Sequence, residues 1–118
     1  MNNSVFVSAA FKREVKPLAK KYKSLKESLD KLVKNLTDNP YLGDAYGHDI
    51  FKVRLADPSK GVGKRGGFRV MYYHLQKTED GIQILMMSIY DKSERSTIKK
   101  ADAIKILDDI LKEHNAGE

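Results

Sequence analysis

The chain has 118 residues, 41% hydrophobic and 32% charged, enough apolar material for one compact core and too short for two domains. Lysine and arginine number 22 against 16 acidic residues, a formal net charge of +6; this fits a polyanionic partner such as nucleic acid, or solubility alone. Cysteine is absent and histidine occurs three times, which excludes disulfides, zinc knuckles and thiol nucleophiles, and no metal or other cofactor is expected.

Residues 1–118 read as a single domain. The longest apolar run, Ile84-Leu85-Met86-Met87, is far too short to span a bilayer. The N-terminal Met-Asn-Asn-Ser-Val-Phe-Val-Ser lacks the basic start and long apolar stretch of a secretory leader, so a cytoplasmic protein with no membrane partner is expected.

Val5-Phe6-Val7 reads as a short first strand. Phe11, Val15, Leu18, Ala19 and Tyr22 then fall on one face of a helix starting near Ala9, with Pro17 predicting a kink or break near residues 13 to 17 because proline removes a hydrogen bond. Ser24-Leu25-Lys26-Glu27 has the spacing of a capping box, opening a second helix whose stripe is Leu25, Leu29, Leu32, Val33 and Leu36. Asn39-Pro40 ends it. The two stripes predict a helical hairpin turning at Tyr22-Lys23-Ser24, its outer faces carrying lysines from Lys12 to Lys34. These lysines fit a solvated surface or a secondary electrostatic patch.

Pro40 to Asp49 reads as a loop. Ile50 to Ala56 alternates, with Phe51, Val53 and Leu55 on one side and Lys52 and Arg54 on the other. A Gly- and Lys-rich connection over residues 57 to 67 leads to a strand, Phe68 to Leu75, that sets Phe68, Val70 and Tyr72 against Arg69, Met71 and Tyr73. Glu79-Asp80-Gly81 is a tight turn, and Ile82 to Tyr90, apolar on both faces, reads as a central strand. A third helix over Lys99 to Glu113 turns Ala103, Ile106, Leu107, Ile110 and Leu111 inward. The expected fold is α+β, in the order β-α-α-β-β-β-α, with an antiparallel sheet packed on the hairpin.

Lys52 and Arg54 lie about 7 Å apart on one strand face, and Arg69 projects from a neighbouring strand. Like charges placed together on a sheet repel unless an anion sits on them; the plain alternative is the solvated face of an edge strand. Lys64 and Arg65 in the Gly-rich connection suit a phosphate backbone, although the P-loop pattern is absent. Tyr72, Tyr73 and Tyr90 offer rings for base stacking, with at least one of Tyr72 and Tyr73 expected in the core. His74 reads as an ordinary strand residue.

The stretch Gly63-Lys64-Arg65-Gly66-Gly67-Phe68-Arg69-Val70-Met71-Tyr72-Tyr73, followed by Leu85-Met86-Met87-Ser88-Ile89-Tyr90-Asp91-Lys92-Ser93-Glu94, resembles the RelE/ParE superfamily of toxins from bacterial type II toxin–antitoxin systems, most of all its HigB-type branch. Phe11-Lys12-Arg13-Glu14, the helical turn, Asn39-Pro40 and Phe51-Lys52-Val53-Arg54-Leu55 fit as well, so the resemblance spans roughly residues 5 to 112. It implies a RelE-like fold and a metal-independent mRNA interferase. Such an enzyme cuts mRNA in the ribosomal A site by in-line attack of a 2′-OH, leaving a 2′,3′-cyclic phosphate. It implies catalytic roles for Lys52, Arg54, Arg69, Tyr90 and Lys92, and RNA contacts from Lys64, Arg65, Tyr73 and Arg95. Glu94 is a candidate base. Some relatives carry a tyrosine shortly after the last strand; Ile98 stands there in this chain, so no tyrosine base can be placed. The implied partners are mRNA, the ribosome and a cognate antitoxin encoded alongside, able to bind DNA. Two alternatives share the fold: a ParE-like gyrase-inhibiting toxin and a non-catalytic RNA-binding module.

Overall fold

A computed structural model of the chain describes residues 2–60, 67–94 and 98–116, the last three of these by backbone alone. Strand β1 (Ser4–Val7) leads into helices α1 (Ala9–Lys21) and α2 (Leu25–Asp38), strands β2 (Asp44–Gly47), β3 (Ile50–Leu55), β4 (Phe68–Thr78) and β5 (Gly81–Asp91), and helix α3 (Lys100–Ala116). The five strands form one sheet in the order β1-β5-β4-β3-β2. β2, β3, β4 and β5 pair antiparallel, but β1 runs parallel to β5, so the sheet is mixed rather than purely antiparallel. The helical hairpin that follows β1 carries the chain to β2 at the far edge, and β2, β3 and β4 lead back to β5, so the parallel pair is joined by a long connection.

The two apolar stripes pack as their spacing predicts. Phe11, Leu25, Leu29, Leu32 and Leu36 are buried against Phe51, Leu55, Phe68, Val70 and Tyr72 on one sheet face. Each such aliphatic side chain contributes about 1.5–3 kcal/mol when fully buried. The opposite face, with Ile50, Met71, Leu85 and Met87, is covered by Ala103, Leu107 and Ile110 of α3.

Three local expectations are corrected. α1 is unbroken through Pro17: the proline is exposed, so the Arg13 carbonyl it leaves without a helical donor faces solvent. Instead, α1 is capped by Ser8, whose Oγ accepts from the Phe11 amide at 3.0 Å. The capping box at Ser24 does not form, because the Ser24 hydroxyl donates to Asp57 at 2.8 Å and accepts from the Ser59 amide at 3.1 Å. Ser28 also donates to Asp57, at 2.7 Å, so the start of α2 is tied to the chain leaving β3. Lastly, the expected loop over 40 to 49 contains β2. Asp44-Ala45-Tyr46-Gly47 lacks apolar alternation and becomes a strand by pairing with β3. The connecting His48 and Asp49 have φ of 54° and 63°, the left-handed pair of a type I′ hairpin turn.

Candidate active site

Arg54 on β3 pairs directly with Arg69 on β4, and Arg69 pairs directly with Tyr90 on β5. Residues opposite one another in an antiparallel ladder share a face, so the three form a row across the sheet. Strand alternation puts Lys52 on this face as well.

The row depends on a bulge. Met71 pairs with Ser88 and Tyr72 with Met86, leaving Met87 as an extra residue in β5. Before it, Ile84 and Met86 face the hairpin; after it, Ile89 does. Strict alternation from Ile84 would have sent Tyr90 into the hairpin core. The extra residue reverses the phase and puts Tyr90 beside Arg69.

Arg54 is exposed, whereas Arg69 is only 6% exposed. Burial holds the Arg69 pKa below its usual value, the Arg54 charge adds to that effect, and Tyr90 opposes it. Arg69 Nη1 donates to the Phe68 carbonyl at 3.2 Å, which aims the guanidinium along the strand. Two guanidinium groups set opposite each other cost stability, and an anion over the row would relieve that cost.

Lys52 reaches over the ring of Tyr46, its Nζ 5.1 Å from the centroid. Lys100, in the first turn of α3, approaches the same ring at 6.0 Å, and the Tyr46 hydroxyl donates to the Ile98 carbonyl. Tyr46 therefore joins β2, Lys52 and the start of α3. Sequence reasoning missed Tyr46 and Lys100. Pairing of β2 with β3 is what exposes the connection, and the only local cue was a tyrosine between two glycines.

Lys92 follows β5 directly, its amide donating to the Gly67 carbonyl at 3.1 Å. Its neighbour Asp91 anchors this end of the site. The buried Asp91 carboxylate accepts from Tyr22 Oη at 3.1 Å, from the Ser93 amide at 2.9 Å, from Ser93 Oγ at 2.8 Å and from Lys60 Nζ, with which it forms an ion pair. Burial alone would raise the Asp91 pKa; the hydrogen bonds from Lys60, Ser93 and Tyr22 outweigh it and bring the value down to about 2.

The remaining candidates are dispersed. Tyr73 shares the face of Arg69 but lies four residues along β4, roughly 13 Å away, packed among Ile50, Leu85 and their neighbours. Tyr72 is a core residue, its hydroxyl donating to the Pro40 carbonyl at 3.0 Å and accepting from the Gly43 amide at 2.9 Å. His74 is buried, Nε2 donating to the same carbonyl at 2.7 Å. Glu94 lies 3.8 Å from Lys21 in an exposed ion pair. Lys64, Arg65 and Arg95 lie outside the described residues. Among the described residues, no group of three or more His, Asp or Glu is placed to hold a metal, and no helix is long and apolar enough to cross a membrane.

A helical hairpin on one face of this sheet and a C-terminal helix on the other define a RelE-like α+β fold. Comparison with solved structures agrees: a free-state structure of an E. coli RelE toxin bearing two arginine-to-alanine substitutions matches with a TM-score of 0.55, covering 89% of this chain and 97% of that one at 18% sequence identity. No family model matches the sequence.

Proposed function

We propose that this chain is the toxin of a type II toxin–antitoxin system, of the HigB-type branch, and acts as a ribosome-dependent mRNA endoribonuclease. The observation that carries the reading is the row Arg54–Arg69–Tyr90 with Lys52 beside it: fixed cations on one sheet face, one of them buried, opposed to like charge and suited to a phosphate. The RelE-like fold supports it.

In this reading a 2′-OH of the message attacks the adjacent phosphorus in line. The P–O5′ bond breaks, leaving a 2′,3′-cyclic phosphate; the 2′-OH loses its proton and the departing O5′ gains one. Arg69 and Arg54 stabilise charge developing on the phosphoryl oxygens, the guanidinium fork suiting that geometry. Lys52 contacts phosphate and serves in proton transfer, and Tyr90 and Lys92 orient the scissile group and contact the leaving oxygen. Lys64, Arg65 and Arg95 hold RNA backbone, whereas Tyr73, packed among Ile50 and Leu85, takes no part in stacking. The message is met in the ribosomal A site, and an antitoxin encoded alongside restrains the activity.

Primer extension on cellular mRNA after brief induction tests this. Discrete cuts bearing 2′,3′-cyclic ends, abolished by Arg69→Ala, are expected. Growth arrest with altered DNA supercoiling and no RNA cuts would overturn it.

A further inference from the structure

We propose that the groove between α2 and the outer edge of β3 seats the base of a nucleotide flanking the scissile phosphate, with Asn35 of α2 contacting that base. The proposal deepens the endoribonuclease reading and rests on it for the identity of the bound strand as RNA.

The groove, of about 770 Å³, has two unlike walls. One is β3 itself. Every residue from Lys52 to Ala56 borders the groove; because the side chains of a strand alternate between faces, they can all do so only along the strand's edge. The backbone there is open. A Cβ on Gly43 would lie 2.7 Å from the Lys52 carbonyl oxygen, so that carbonyl points toward β2 and away from β4. Alternation then turns the Arg54 N–H and C=O the same way. The pairing of β2 with β3 reaches no further than Asp44, opposite Lys52, so no described strand meets Arg54 at this edge.

The other wall is the polar flank of α2. Lys31 and Asn35, one turn apart, are both exposed and lie outside the apolar stripe of the helix. Lys31 approaches Glu27 at 3.7 Å, an exposed pair of the kind that holds a lysine only weakly. Between the walls lie buried Leu32 and Leu55 and half-buried Val53, with Leu42, 42% exposed, at the rim. Asp44, the acidic residue of the rim, stands opposite Lys52 in the ladder, which balances its charge.

This combination fits a nucleobase, whose faces are apolar and whose edge carries hydrogen-bond donors and acceptors. Leucine and valine side chains meet the face; the Arg54 backbone and the Asn35 carboxamide meet the edge. A peptide strand would need a ladder of outward amides and carbonyls, but beyond β2 only Arg54 offers them before β3 ends at Leu55, and Pro58 follows with no N–H to give. The cations complete the argument. Arg54 is the outermost member of the row Arg54–Arg69–Tyr90, so a phosphate held between Arg54 and Arg69 lies roughly 5 Å, one strand spacing, from this edge. A single RNA strand crossing the row therefore brings a flanking base to the groove, and Lys31 stands ready for a phosphate beyond it.

The probe is a fluorescein-labelled five-nucleotide RNA, 2′-O-methylated throughout so that it carries no nucleophile, titrated against the full chain by anisotropy at low salt. Removing one base at a time should weaken binding unequally, one abasic position by about fivefold or more. Asn35→Ala, on a helix surface where alanine is favourable, should weaken binding of the intact strand about threefold, as expected for one lost hydrogen bond, and shrink that abasic penalty by the same factor. Lys31→Ala should reduce the slope of log K against log salt by about 0.7, one phosphate contact. Lys34→Ala removes the same charge from α2 outside the groove and should leave the slope unchanged. Equal losses at every abasic position, an abasic penalty untouched by Asn35→Ala, equal effects of Lys31→Ala and Lys34→Ala, or no binding of the strand overturns the proposal. If the wild-type chain cuts no mRNA, the endoribonuclease reading fails and the abasic scan still decides the groove. If it cuts mRNA and the scan is flat, the groove fails and the reading stands.

Discussion

Arg69 carries a conflict between stability and use. Its guanidinium is buried and faces Arg54 across the ladder, so an uncharged side chain of similar length should fold at least as well. Arg69→Met is predicted to hold or raise the melting temperature while lowering RNA cleavage by roughly 10²–10³-fold, the usual effect of removing one charge-stabilising donor. A fall in both, measured by thermal unfolding and by cleavage of a reporter message, would make Arg69 a structural residue. Tyr46 offers a finer test. A cation held over an aromatic face at a partly exposed site gains about 0.5–1 kcal/mol. Tyr46→Phe keeps the face and should retain cleavage, while Tyr46→Leu should lower it about 2–5-fold by loosening Lys52.

Among the elements, α1 is a helix that tolerates its proline. The Arg13 carbonyl is turned to water, so the penalty is the lost hydrogen bond and the ring's steric demand, offset in part by a stiffer unfolded chain. Pro17→Ala should stabilise the fold by about 2 kcal/mol, read as a raised midpoint in urea. The end of β5 depends on a single carboxylate. Asp91→Asn leaves the Lys60 ammonium without its charge partner in a buried position and should cost about 3 kcal/mol, with loss of cleavage because Lys92 is its immediate neighbour. A variant that unfolds at the wild-type urea midpoint would remove Asp91 from this role.

Acid should act on the whole molecule in two windows. Burial holds the His74 pKa below its usual value; the Pro40 carbonyl opposes this, Lys77 adds to it and Asp49 opposes it. The folded chain therefore binds a proton at His74 less readily than the unfolded chain does. Its contribution to stability is complete above about pH 6.5 and is lost as pH falls toward the folded value. Asp91, at about 2 in the fold, contributes in full above the ordinary carboxylate value, and its roughly 2 kcal/mol disappears as pH falls from there toward 2. Urea midpoints followed from pH 8 to pH 3 should decline in both windows, and His74→Phe should flatten the first. RNA binding should depend on salt: contacts from Lys52, Arg54, Arg69 and Lys92 correspond to a slope of roughly −3 in log K against log salt for a single strand.

What the sequence determined by itself was everything set by local period. The stripes of α1, α2 and α3, the faces of β3 and β4, and the placement of Lys52, Arg54 and Arg69 on one side all follow from side-chain directions that repeat every two or 3.6 residues. The tertiary structure decided whatever depends on a partner distant in the chain. Tyr90 joins the arginine row only because Met87 is squeezed out of the ladder opposite β4. Tyr46 becomes part of a strand only because β3 lies beside it. Ser24 abandons its helix cap because Asp57 and Ser59 are brought within reach. Among the described residues β1 ends the sheet, because its chain leaves at once into a helical hairpin and the later described strands build outward from β5 on its other side. The surplus of positive charge was visible from the start; strand register set Arg54 opposite Arg69, and the bulge brought Tyr90 beside them.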